Sequence, residues 1–251
     1  MRKEKIAISI NSRLLKLVDS KIDGTTLRSR SQAIEYFLVK GMEEQDVSKA
    51  VIMIAGAHQK TALTNVKGKP LLKHHLESLL KADILDVIIL TQKGDFNDKL
   101  REIAEKFPMN IEFIENSAKT SGHALYGIKN RLHGADFVLI QGDTYNEINI
   151  KEMIQKHVKR SPMITIALMT VGEPDRYGTA VLDDDMVVDF SEKPKSPNSY
   201  IINAGIYIFS GKIFEKEPNI QSLEKELFPK LAKKRQILGF FSRGEFIHSP
   251  V

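Results

Sequence analysis

Residues 55–60, Ala-Gly-Ala-His-Gln-Lys, follow the apolar run Val51-Ile52-Met53-Ile54 as a phosphate-gripping turn follows a buried strand. A turn that wraps a triphosphate needs several glycines, whose backbone N–H groups can point inward, and a basic side chain close behind. This one offers Gly56 and Lys60, with His58 and Gln59 between them. Lys60 has two readings, a phosphate contact or a solvated loop residue. Three later phrases also border apolar runs: VLIQGD ends on Asp143, Glu192-Lys193-Pro194 follows VVDFS, and Asn203-Ala204-Gly205 lies within YIINAGIYIF. By residue type alone, Asp143 can cap the helix expected near Ile150 or bind its own turn. Glu192 and Lys193 can form a surface ion pair worth at most about 1 kcal/mol.

The elements that must position these residues alternate. Val51–Ile54, Val87–Leu90, Ile111–Ile114, Phe137–Ile140 and Ile164–Met169 read as strands, and Leu71–Lys81, Phe96–Lys106, Gly122–Arg131 and Ile150–Lys159 as amphipathic helices. That order predicts an α/β fold, a mostly parallel mixed sheet with helices on both faces, which binds ligands beyond the carboxyl ends of its strands. Val181–Val188 reads as a hairpin turning at Asp183-Asp184-Asp185, an acidic triplet that suits a turn better than a metal cage.

Composition narrows the setting. No apolar run approaches the roughly 20 residues of a membrane span, so the expectation is a cytoplasmic protein with no membrane partner. The chain has no Cys and seven scattered His, which leaves neither disulfides nor a thiolate zinc site. Its net charge of +5 is confined to residues 1–42, where nine Lys and Arg face four acids; the remainder is balanced. Excess positive charge in one short segment is where a polyanion should bind. Within it, Ile6, Ile8 and Ile10 alternate as in a short strand. Leu14, Leu15, Leu17, Val18 and Ile22 make one helical stripe, capped by Asn11 or Ser12, and Ala33, Ile34, Phe37 and Leu38 make another, capped by Ser29 or Ser31. So small a unit cannot bury a stable core alone, which predicts a homodimer or higher homo-oligomer. Residues 45–50, nearly without apolar content, read as a linker to a second domain spanning 51–251.

Residues 1–44 resemble a ribbon-helix-helix DNA-binding domain, notably in Ser29-Arg30-Ser31-Gln32-Ala33-Ile34. The resemblance implies a double-stranded DNA partner, with Lys5, Ala7 and Ser9 facing bases and the start of the second helix at Arg30 and Ser31 facing phosphate. The alternative for the segment is a dimerisation arm with a solvated basic face.

The ordered set QGD, RYG, EKP and NAG, with Gly68-Lys69-Pro70-Leu71-Leu72, resembles the sugar nucleotidyltransferases, which join a nucleoside triphosphate to a sugar 1-phosphate. The resemblance covers essentially residues 51–250. It implies ligand contacts at Gly56, Lys60, Gly122, Asp143, Gly178, Glu192, Lys193 and Asn203. Thr120 and Ser121 match a base-contacting region, and Asp143 matches a Mg²⁺ ligand. Two departures stand out. The glycine-rich segment that holds the triphosphate and carries an arginine has no counterpart between Gly56 and Gly68. The second Mg²⁺ carboxylate is replaced near the end of the chain, where Phe246 and His248 stand. Mg²⁺ prefers oxygen ligands, so the expected cofactor is none, or weak Mg²⁺ accompanying a nucleotide. The resulting expectation is a DNA-binding transcriptional regulator whose disabled nucleotidyltransferase-like domain senses a nucleotide sugar or sugar phosphate. The alternative is an active sugar-phosphate nucleotidyltransferase with an N-terminal oligomerisation arm.

Overall fold

The computed structural model describes residues 7–43, 47–241 and 244–248. The chain divides into two compact units, Met1–Gln45 and Asp46–Val251.

In the first unit, residues 7–11 carry no regular secondary structure, and helices α1 (Ser12–Asp19) and α2 (Arg30–Glu43) follow. The strand expected at 6–10 is therefore not formed over its described part, for a strand needs a partner for its backbone groups. Lys5 lies outside the described residues. Between the helices, the Asp23 carboxylate accepts N–H bonds from Thr25, Thr26 and Leu27 at 2.8, 2.7 and 2.9 Å. Ser29 then opens α2, its Oγ accepting from Gln32 N at 3.2 Å. Val18 and Ala33 are buried, whereas Leu14, Leu17, Phe37 and Leu38 are exposed.

The second unit is built on a nine-stranded sheet. Its first half comprises β1 (Lys49–Ile54), the short pair β2 (Asn65–Val66) and β3 (Lys69–Pro70) beside it, β4 (Asp86–Thr91), β5 (Asn110–Glu115) and β6 (Phe137–Gln141). β7 (Thr144–Asn146) precedes the second half: β8 (Ile164–Thr170), β9 (Gly178–Asp183), β10 (Met186–Glu192), β11 (Ile201–Phe209) and β12 (Ile237–Phe241). A last strand, β13 (Phe246–His248), pairs antiparallel with β7. The sheet order is β5-β4-β1-β6-β11-β8-β12-β10-β9. Its β5-β4-β1-β6 half is parallel. The other half is mainly antiparallel, and β9 returns to pair with β11, closing β11-β8-β12-β10-β9 into a ring. The mostly parallel sheet predicted from the alternation is thus corrected to a mixed sheet with a barrel-like portion. Continuous apolar runs such as β11 do not encode strand direction.

Both faces of the sheet are covered, and β1 shows why. Val51 and Met53 point into one core, Ala50, Ile52 and Ile54 into the other. Helices α4 (Leu71–Lys81), α5 (Asn97–Ala104) and α8 (Ile150–Arg160) pack on the Ile52 side through Leu72, Leu76, Leu79, Leu100 and Met153. α6 (Ser121–Gly127) and α7 (Lys129–Leu132) cover the Val51 side through Leu125 and Leu132. Each fully buried Ile or Leu contributes roughly 1.5–3 kcal/mol, so the sheet is a rigid support for the loops at its carboxyl edge. Among the described residues, no helix is long and apolar enough to cross a membrane.

Candidate active site

Two hollows adjoin at that edge. One, of about 180 Å³, is bounded by the ends of β1 and β4, His58, Gln92 and the Thr120–Ser121 start of α6. The other, of about 160 Å³, is bounded by Tyr177, Gly178, Glu192, Lys193, Asn203 and His248. They meet at Gln141, Asp143 and Glu224. A larger depression of about 770 Å³ lies elsewhere, beside α4 and α8. Its Lys67 is spent on Glu147 at 2.7 Å and Glu245 at 2.6 Å, and its Lys69 on Glu77.

Asp143 stands at the seam because Gly142 lets the chain leave β6 tight against β1. Gly142 N donates to Met53 O at 2.9 Å, and a Cβ there would sit 2.6 Å from Ile54 Cγ1. The Asp143 carboxylate accepts from Thr144 Oγ1 at 3.2 Å, and its Oδ2 lies 3.5 Å from His58 Nδ1. His58 arrives there because β1 is followed by a single 3-10 turn, Gly56–His58, before α3 (Gln59–Leu63). Gln59 is buried beneath that turn, its Nε2 donating to Thr91 Oγ1, Gln92 O and Asn97 Oδ1 at 3.0, 2.7 and 2.9 Å. In the same hollow, Gln92 Nε2 donates to Ala118 O at 2.7 Å. Thr120 Oγ1 is buried without a hydrogen-bond partner in the protein.

The second hollow is set by the ring of strands. Gly178 begins β9 where any Cβ would come within 2.6 Å of Phe190 Cζ and 2.8 Å of Glu192 Oε2, so glycine leaves the Glu192 carboxylate its place. Partial burial first, and the charge of Glu224 second, push the Glu192 carboxyl above the usual carboxylate range. Lys193 follows in the left-handed region (φ 47°), its N–H donating to Tyr177 O at 3.0 Å. Asn203 Nδ2 donates to the Tyr207 hydroxyl at 2.7 Å and its Oδ1 accepts from Gly205 N at 3.0 Å. The β7–β13 pairing brings His248 opposite Thr144, with 3.2 Å between Nδ1 and Oγ1. Phe246 and His248 both stand edge-on to the Tyr177 ring at 5.5 Å.

Of the ligand contacts expected from the sequence, Asp143, Gly178, Glu192, Lys193 and Asn203 are brought together. Three others are not. Lys60 is exposed and lines a shallow groove with Phe96 and Lys99 on α3 and α5. Gly56 has its N–H committed to Gln92 Oε1 at 3.0 Å. Gly122 donates to Gln221 O at 2.9 Å and packs against that backbone, which leaves no room for a side chain. Of the two seam residues besides Asp143, Gln141 belongs to the QGD phrase, whereas Glu224 carries no sequence signal that marks it. Glu224 lies on a π-helical turn, Leu223–Leu227, and reaches the site by long-range packing.

The model of the nucleotidyl transferase family matches residues 54–241. This chain belongs to the nucleotidyl transferase family. It is 30% identical to a putative mannose-1-phosphate guanyltransferase of Sulfolobus acidocaldarius over 68% of this chain and 48% of that protein. It is 29% identical to a mannose-1-phosphate guanylyltransferase catalytic subunit beta of Drosophila pseudoobscura pseudoobscura over 70% of this chain and 49% of that one. The chain therefore spans about half the length of the curated relatives it matches. A putative glucose-1-phosphate thymidylyltransferase from Bacillus anthracis, solved with sucrose, has the same fold, with a TM-score of 0.70, 22% identity, and coverage of 80% of this chain and 89% of that one.

These family relationships overturn the expected transcriptional regulator with a disabled domain. The relatives are named as sugar nucleotidyltransferases, and the matched region runs through the shortened turn after β1. DNA binding finds no support either. Ala7 and Ser9 lie in irregular chain rather than a ribbon, although Arg30 and Ser31 do open the second helix as expected. The Arg30 guanidinium is occupied, donating to both carboxylate oxygens of Asp19 at 2.6 and 2.8 Å.

Proposed function

We propose that the chain is a sugar nucleotidyltransferase that joins a nucleoside triphosphate to a sugar 1-phosphate with release of pyrophosphate. The observation carrying this reading is the meeting at Asp143 of two adjoining hollows, one bordered by Thr120 and Ser121 and the other by Glu192 and Lys193. In the reaction an oxygen of the sugar phosphate attacks the α-phosphorus, a new P–O bond forms, and the bond from that phosphorus to the oxygen bridging to the β-phosphate breaks. Catalysis of such a transfer is positioning plus charge stabilisation and needs no protein nucleophile.

Each residue has a place in that scheme. Thr120 Oγ1 and the backbone around it face the base, Lys193 takes the sugar phosphate, and Glu192 accepts sugar hydroxyls. Asn203 is oriented by Tyr207 and Gly205, which leaves one N–H of its amide to donate to the sugar. Asp143 is the carboxylate we assign to Mg²⁺ brought by the triphosphate. Among the described residues no group of three or more His, Asp or Glu forms a metal cage. That fits a cation held by one carboxylate and the substrate's own phosphates, where it would neutralise phosphate charge. The relatives' names point to hexose 1-phosphates as the sugar class. The test is pyrophosphate release by the whole chain, with each triphosphate and sugar 1-phosphate omitted in turn. Release should require both substrates and fall by about 10²–10³-fold in Asp143→Asn, the range for losing one electrostatic stabiliser. Release no faster than the uncatalysed background would refute the proposal.

A further inference from the structure

Glu224 belongs to both hollows and to no motif. Its Oε1 accepts from Gln141 Nε2 at 2.9 Å, and its Oε2 accepts from Ser121 Oγ at 2.8 Å. Ser121 Oγ in turn accepts from Leu223 N at 3.1 Å, and Ser222 caps the turn by accepting from Lys225 N at 3.1 Å. The carboxylate is thus held from the nucleoside side, and its position is fixed by four residues. Ser222 Oγ also donates to Oε2 at 3.4 Å; an ionised carboxylate has about four acceptor sites, so Oε1 keeps one lone pair open. Glu224 lines the sugar hollow together with Glu192 and Tyr207; burial first, and the charge of Glu224 second, raise both of those groups.

Three carboxylates, Asp143 at the seam with Glu192 and Glu224, therefore border a space whose cations are Lys193 and the largely exposed Arg176 at its rim. If Lys193 holds the sugar phosphate, the rest of the sugar is bordered by these carboxylates and by the neutral polar groups of Asn203 and Tyr207. We propose that Glu224 selects the sugar, its carboxylate accepting a hydroxyl from an uncharged hexose 1-phosphate seated beside Glu192 and repelling a sugar that carries a carboxylate there. This inference rests on the sugar nucleotidyltransferase reading. Like charges facing one another across a partly buried site are strongly disfavoured, whereas a hydroxyl donated to a charged acceptor is among the stronger neutral–ion contacts.

The experiment is calorimetric titration of the full chain, wild type and Glu224→Gln, with a hexose 1-phosphate, the corresponding hexuronic acid 1-phosphate and a non-hydrolysable nucleoside triphosphate. Glutamine keeps a network with Ser121 and Gln141 available, since either amide can turn over. Wild type should prefer the hexose over the hexuronate. Glu224→Gln should weaken the hexose by roughly tenfold and narrow the preference, with triphosphate affinity and melting temperature little changed. Glu224→Ala should weaken the hexose further, and a melting curve on each variant separates loss of binding from loss of folding. Equal hexose affinity and equal preference in wild type and Glu224→Gln would overturn the role of Glu224 alone. A wild-type chain that binds neither sugar phosphate nor triphosphate would overturn the underlying function instead.

Discussion

Replacing His75 by leucine should make the protein less sensitive to acid. His75 lies on α4 with 4% of its surface exposed, and its Nε2 has no hydrogen-bond partner in the protein. Burial outweighs the attraction of Asp143 and pushes the imidazole from its ordinary 6.5 down to about 4. In the unfolded chain the same group titrates near 6.5, so between these values the unfolded state binds more protons. Stability accordingly rises with pH across that window and is lost as pH falls through it. At about 1.36 kcal/mol per unit, the full window corresponds to roughly 3 kcal/mol, of which about 2–3 kcal/mol is expressed at a pH near 4.5. Leucine has a similar volume, suits the apolar surroundings and does not titrate. Urea unfolding of both proteins near neutral pH and near pH 4.5 isolates the effect, because every other titration is common to both. The variant should gain roughly 2–3 kcal/mol on the wild type between the two conditions. Parallel pH profiles would refute the claim that His75 is buried uncharged.

Two further outcomes follow from the site. Gly142→Ala would place a Cβ 2.6 Å from Ile54 Cγ1 and 3.1 Å from Met53 O, which should cost about 1–3 kcal/mol and displace Asp143. A thermal melt and a rate both like those of the wild type would contradict the tight exit from β6. Glu192→Gln tests the raised carboxyl. A raised acid contributes stability that is present at low pH and lost as pH rises through its folded value, so the neutral glutamine should melt higher than wild type near neutral pH and equally near pH 4. The same change should weaken sugar-phosphate binding; a variant that melts lower near neutral pH would contradict the assigned burial.

The parts legible in the sequence were those set by local pattern. The alternation of apolar strands with helices at i, i+4 and i+7 spacing, as in Leu72, Leu76 and Leu79, places the β1–β6 half of the sheet and its helices. The QGD and EKP phrases lie at the ends of β6 and β10, and NAG lies within β11 at its register shift, so that all three border one hollow. What could not be read depends on long-range packing. The nine residues of β11 are nearly all apolar, so nothing in them says that they run antiparallel between β6 and β8 or help close a ring. Glu224 is separated from Gln141 by 83 residues and from Ser121 by 103, and its surroundings in the chain are those of an ordinary amphipathic turn. Of the two readings of Lys60, the solvated one matches its position in the fold. Its proximity in sequence to Gly56 suggested a phosphate grip, but Gln59 takes the buried place and the helical turn of α3 carries Lys60 out to the surface. In the first unit, charge asymmetry suggested DNA; the second helix does start at Arg30, whose side chain is paired with Asp19 within its own unit.

The most direct test of the account is mass spectrometry of the products formed when the whole chain is incubated with Mg²⁺, a panel of nucleoside triphosphates and a panel of hexose 1-phosphates. The account predicts one or more nucleoside diphosphate sugars, each appearing with an equal amount of pyrophosphate, and formed about 10²–10³-fold more slowly by Asp143→Asn. Recovery of the triphosphates and sugar phosphates unchanged, from a chain that melts cooperatively and binds both, would contradict it.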